Sequence, residues 1–82
     1  MTDALEVLGE VGGELSRAED LFPPFHSAHE AYATLLEEVD ELWDEVKKNP
    51  AKRDLIALRK EAIQVAAMAV RFVRDVCDRE SR

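Results

Sequence analysis

The sequence predicts an all-α protein, a three-helix chain forming one domain over residues 1–82 and assembling with further copies into an oligomeric helical bundle. Two observations predict the helices. Apolar residues recur at steps of three and four along most of the chain, and two proline-containing breaks, FPPF at 22–25 and NPAK at 49–52, divide it into thirds. A third observation predicts the assembly. The last helix is apolar on two sides, and a chain this short buries only somewhat over ~60% of its unfolded surface.

Helix 1, about residues 2–21, keeps the spacing through Ala4, Leu8, Val11, Leu15, Ala18 and Phe22. Gly9, Gly12 and Gly13 each cost roughly 1 kcal/mol against alanine, so fraying or bending is expected there. The two prolines of FPPF lack an N–H and restrict their predecessors, which ends that helix. Ser27-Ala28-His29-Glu30 has the capping-box pattern and starts helix 2, about 28–48. Its stripe is Ala28, Tyr32, Leu35, Val39, Leu42 and Val46. Asn49 is expected to end it in a left-handed conformation, with Pro50 opening helix 3, about 51–78. Helix 3 carries Leu55, Leu58, Ala62, Val65, Ala69, Phe72 and Val76, and on its other side Ile63, Ala66, Val70 and Val73. One face fits helix 2, and the other calls for helix 1 or a second chain.

Bulk composition narrows the function classes. A 46% hydrophobic content is that of a folded protein, and a net charge of −7 opposes phosphate-backbone recognition, so no nucleic acid is expected as a partner. Cys77 is the sole cysteine, which excludes an internal disulfide and fits a reducing cytosol. No 18-residue apolar run occurs, and the acidic start MTDALEVLGEVGG lacks a signal peptide's basic region. The expectation is a cytoplasmic protein without membrane partners.

The stretch LLEEVDELWDEV at 35–46 is the chemical signal. Glu37, Glu38, Asp40, Glu41, Asp44 and Glu45 crowd one helix with no base among them. Glu37–Glu41, Asp40–Asp44 and Glu41–Glu45 are like-charge pairs four apart, each costing a few tenths of a kcal/mol. On a helical wheel Glu37, Glu38 and Glu41 form one acidic surface at the edge of the apolar stripe. A solvated face is one explanation, though such faces ordinarily interleave lysines, and here only Lys47 and Lys48 follow. On helix 3, Glu61 falls inside the stripe beside Val65, Met68 and Phe72, with Gln64 one turn on. A carboxylate there needs a basic partner or a metal. If it faces Glu37, Glu38 and Glu41, the convergence suits a hard divalent cation such as Mg²⁺ or Mn²⁺.

At these residues the sequence resembles the MazG-like all-α nucleoside triphosphate pyrophosphohydrolases, whose motif is EExxE on one helix and ExxD on the next. EEVDE at 37–41 matches the first half, and EAIQ at 61–64 matches the second at Glu61, with Gln64 where aspartate is expected. The resemblance covers roughly residues 28 to 75. It implies a Mg²⁺-dependent hydrolysis of an NTP or dNTP to the monophosphate and pyrophosphate. It further implies Glu37, Glu38, Glu41 and Glu61 as metal ligands or their partners, with Gln64 beside them and Glu38 and Glu41 at the catalytic centre, and a homodimer or homotetramer of helical bundles. Gln64 departs from the pattern, since an amide carbonyl can ligate Mg²⁺ but brings no charge and cannot act as a base. A non-catalytic helical module, with the acidic face binding a cation or a basic partner, is the alternative.

Four further residues are candidates for substrate contact. Lys60 and Arg71 flank Gln64 and are placed to touch phosphates, or are ordinary surface charges. His29, with His26, flanks the start of helix 2, where a capping or surface role competes with nucleotide contact. Trp43 belongs to core or interface, or stacks on a base. Met68 reads as packing, and Cys77 as a small buried apolar group near a helix end.

Overall fold

The computed structural model describes residues 3–79, and among these every regular element is helical. Three α-helices follow in order: α1 (Ala4–Leu21), α2 (Ala28–Val46) and α3 (Leu55–Phe72). A short 3₁₀ turn at Pro50–Lys52 joins α2 to α3, and a π-helical segment, Val73–Asp78, extends α3. The expected start of helix 1 at residue 2 lies outside the described residues. No described helix is long and apolar enough to cross a membrane.

Each start is a side-chain cap. The Asp3 carboxylate accepts from the Glu6 N–H at 2.9 Å, and Ser27 Oγ accepts from the Glu30 N–H at 3.1 Å. The capping box at α2 is displaced by one position, since Glu30 accepts from the N–H of His26 rather than from that of Ser27. At the second break two expectations are corrected. Asn49 has φ −52°, outside the left-handed region, and its side chain accepts from Ala51 N–H instead. Closure of α2 falls to Arg53, whose guanidinium donates from Nε and Nη2 to Val46 O at 3.1 and 2.7 Å. With the end carbonyl satisfied that way, no left-handed residue is needed. Pro50 opens only the 3₁₀ turn, and α3 begins four residues later than expected, where Asp54 accepts from Ile56 and Ala57 N–H.

α3 is the central element, packed against α2 on one side and α1 on the other. The core is Ala18, Phe25, Ala31, Met68 and Val76, with Leu35 and Phe72 packed against it. Among the described residues no large side chain is fully buried. The inward faces are rotated from the expected stripes. On α2 the inward positions are Ala31, Thr34, Leu35, Glu38, Leu42, Glu45 and Val46, while Tyr32 and Val39 are exposed. On α3 the buried line is Ala67, Met68 and Arg71, continued by Asp75 and Val76, while Leu55, Ala62 and Ala69 are exposed. Both rotations bring carboxylates and amides to the α2–α3 seam. They follow from α1, which covers the side of α3 that the two-helix wheel left open.

The FPPF connector is held down by polar contacts to α3 and its π-helical extension. Arg71 lies over the Phe25 ring, 4.2 Å from its centroid, and donates from Nη2 to Pro23 O at 3.1 Å. Buried Asp75 accepts from the Phe25 N–H at 3.3 Å and faces Arg71 Nε at 3.9 Å. Arg71 is therefore a buried residue and not an ordinary surface charge. Cys77, expected to be buried, is exposed, since the widened π-turn directs Asp75 and Val76 inward in its place.

α1 runs unbroken through its glycines, without a bend to accommodate them. It is tied to α3 by exposed pairs, Glu10 with Arg59 and Glu19 with Arg74, each worth little on its own. Gly12 is exposed, has no positive φ, and a Cβ added there meets nothing within 4 Å. Gly12→Ala should therefore stabilise by about 0.4–1 kcal/mol and raise Tm by roughly 2–8 °C. Thermal melting followed by circular dichroism checks this, and a lowered Tm would mean that α1 is not helical through that position.

Candidate metal centre

The carboxylates of α2 and α3 meet where the rotated faces bring them. Glu38 and Glu61 are half-buried, Glu41 is exposed, and one oxygen from each lies within 4.8 Å of the other two. The i, i+3 spacing of Glu38 and Glu41 puts both on one side of α2, and Glu61 comes across from the second turn of α3. Glu37 stays outside this trio, exposed on the wall of an adjoining cavity.

Gln64 completes the seam from one turn beyond Glu61. With its amide nitrogen turned toward the carboxylates, it donates to Glu38 Oε2 and Glu61 Oε2, at 3.1 Å each. In that orientation both amide groups face complementary partners, and in the opposite one the oxygen faces only acceptors. Gln64 thus joins two carboxylates of different helices, a role aspartate cannot fill, since even when protonated it has a single O–H to donate.

The electrostatics follow from this crowding. Glu38 is pushed up to about 7, first by loss of solvent, then by the charges of Glu41 and Glu61, with a smaller push from Glu14. Glu61 is raised too, by desolvation and by Glu41, against a lowering influence from Lys60. Lys60 is exposed beside the site, and its charge also reaches Glu14.

Helix 1 contributes two residues that sequence reasoning missed. Glu14 is half-buried and its charge reaches Glu38, while Arg17 pairs with Glu14 through both carboxylate oxygens and also feels Glu38. The signal was present in the spacing. Val7, Val11, Glu14 and Ala18 recur at steps of four and three, which places Glu14 on the inward side of α1.

Beside the trio lies a cavity of about 370 Å³, bounded by all three helices and the connector, a size usual for small-molecule sites. Glu14, Arg17, Glu37, Glu38 and Gln64 line its acidic part. Ala18, Phe22, Phe25 and Met68 give it an apolar part, with Arg71 next to them. Of the four substrate-contact candidates only Arg71 lines this cavity. Lys60 lines a separate groove between α1 and α3, and His29 and Trp43 are exposed away from both. Trp43, at 58% exposed, is not core in the single chain.

The carboxylates of the trio are hard oxygen donors suited to a hard cation, and a bound divalent ion would lift the repulsion that raises Glu38. Exposed acidic groups also occur commonly without one, so the geometry defines a candidate. Compared with protein-family models, curated proteins and solved structures, the chain matches none.

The pH dependence of stability follows by linkage. The folded pKa of Glu38, about 7, lies above the ordinary 4.5, so its contribution is present at low pH and is lost as pH rises through 7. Glu61 acts in the same direction, while Glu10 and Glu14, lowered by their arginine partners, titrate below this window. In EDTA, the urea midpoint should fall between about pH 5 and pH 7.5, and Glu38→Gln should flatten that slope. An unchanged slope in the variant would assign the pH dependence elsewhere.

Proposed function

We propose that this chain is a Mg²⁺-dependent nucleoside triphosphate pyrophosphohydrolase of the MazG-like kind. It would convert an NTP or dNTP to the monophosphate and pyrophosphate, as a cytoplasmic homodimer or homotetramer. The observation that carries the reading is the Glu38–Glu41–Glu61 trio, within 4.8 Å at a helix seam, opening beside a cavity of about 370 Å³. In this reading Glu38, Glu41 and Glu61 hold the ion, with Glu37 at the cavity wall toward the substrate. Mg²⁺, or Mn²⁺ in its place, would supply charge neutralisation of the triphosphate and a lowered pKa for the attacking water. Gln64 fixes the Glu38 and Glu61 carboxylates relative to each other. Beside the ion they help to hold, Glu38 and Glu41 would orient the water that attacks the α-phosphorus. Arg17 and Lys60 bring positive charge to either side of the trio. His29 and Trp43 have no part at the cavity in this reading.

One observation favours a second reading, a non-catalytic helical module. Gln64 satisfies Glu38 and Glu61 with amide donors at 3.1 Å where a catalytic site of this kind is expected to carry aspartate. Such a seam joins two of its carboxylates through Gln64 without an ion and brings one negative charge fewer to hold one.

Self-association is supported by the apolar surface left on the single chain. Tyr32, Leu36, Val39 and Trp43 form an exposed line along α2, and Ile56, Val70 and Val73 stand out of α3. Each such side chain gains roughly 1.5–3 kcal/mol on full burial. Light scattering should give a particle of two or four 9.3 kDa chains, and a stable monomer at micromolar concentration would remove the oligomer.

Pyrophosphate release across a panel of NTPs and dNTPs, with Mg²⁺ or Mn²⁺ against EDTA, tests the reaction itself. Glu61→Gln should lower turnover on the order of 100-fold or more with the fold retained. Gln64→Asp should tighten Mg²⁺ binding and speed turnover. Metal binding without hydrolysis in either the parent or Gln64→Asp would give the case to the non-catalytic module.

A further inference from the structure

Arg71 is 3% exposed and fixed on three sides, flat against Phe25, donating to Pro23 O, and facing Asp75. Its donors nevertheless outnumber its acceptors. Nε has no hydrogen-bond partner, because the Asp75 carboxylate is 3.9 Å away. Nη1 contacts the Met68 thioether at 3.8 Å, a weak acceptor. A buried donor left without a good acceptor is costly, and Arg71 and Met68 both line the cavity beside the carboxylate trio. Asp75, which Arg74 shares, offsets part of the positive charge, and Nη1, beside Met68 of the cavity wall, is the donor left for a neutral acceptor.

The rest of the wall fits a flat heterocycle. Phe22, Phe25 and Ala18 supply apolar surface, and Thr34 and Glu30 on α2 supply oxygen acceptors for N–H groups.

We propose that this cavity holds the base of the nucleotide, and that Arg71 selects thymine and guanine, whose exocyclic carbonyl replaces an amino group, over adenine and cytosine. The proposal rests on the nucleotide reading above and adds the substrate class. A carbonyl oxygen projects about 1.2 Å beyond the ring, toward a guanidinium that cannot move to meet it. At the corresponding edge adenine and cytosine present an amino group, donor against donor, while thymine O4 and guanine O6 are acceptors.

Nucleosides test this apart from hydrolysis. The full chain in EDTA is titrated with thymidine, deoxyguanosine and deoxyadenosine, following the Met68 methyl and Phe25 ring resonances by NMR. The two oxo-nucleosides should shift them saturably, with deoxyadenosine at least roughly tenfold weaker. Thr34→Trp fills the cavity from α2 and should abolish the shifts. Arg71→Lys should erase the preference, and if that variant fails to fold, Thr34→Trp still decides. Equal binding of all three nucleosides, no shift from any, or shifts that persist in Thr34→Trp would overturn the proposal. Nucleoside binding with this preference but no pyrophosphate release keeps the base site and removes the hydrolase. Metal-dependent hydrolysis without any nucleoside shift does the reverse.

Discussion

The seam between α2 and α3 is polar where a helical hairpin ordinarily interlocks leucines, and the rest of the chain is arranged around that constraint. Glu38, Glu61 and Gln64 occupy half-buried positions that could have carried apolar packing. What core remains is displaced toward the connector, around Phe25, Ala31, Met68 and Val76. Like charges facing each other across the seam are desolvated together, which is why Glu38 stands near 7 while ordinary surface carboxylates do not. A chain with no large side chain fully buried among its described residues has little stability to give up to such a seam, so a role beyond structure is the economical explanation.

Much of this was legible in the residues. The three helices follow from proline breaks and apolar spacing, and the meeting of EEVDE with Glu61 follows from two wheels and one turn. What the wheels missed was rotation. A wheel for α2 alone centres the face near Val39, whereas packing against an α3 that α1 also covers turns it toward Glu38. Glu14 adjoins Leu15 of the apolar spacing, and a charged residue beside the stripe reads as solvated although packing leaves both half-buried. The turn defeated local reasoning for a different reason. Asn49 has the composition of a left-handed cap, but the carbonyl that would need it is answered by Arg53, a tertiary contact that no local pattern encodes.

Arg71 shows how position in sequence misleads about environment. Flanked by apolar residues and one turn from the acidic motif, it resembles a phosphate-binding cation. The π-winding that follows brings Asp75 against it, and with Phe25 on the other side the charged guanidinium becomes a fixed donor array. The same contacts pin the connector between α1 and α2, so the apolar wall of the cavity and the path of the chain are set by one cluster.

The Arg53 tether has a consequence for how the hairpin tolerates change. A side chain spanning from the head of α3 to the last carbonyl of α2 works as a ruler of fixed length. The turn at 47–54 can vary in composition, but not in residue count, while that ruler is kept. Each residue added or removed there would force a choice between the tether and the opposition of Glu61 to Glu38, since one step along a helix swings a side chain by about 100°. Length in that turn is therefore as strict a determinant of the acidic seam as the glutamates themselves.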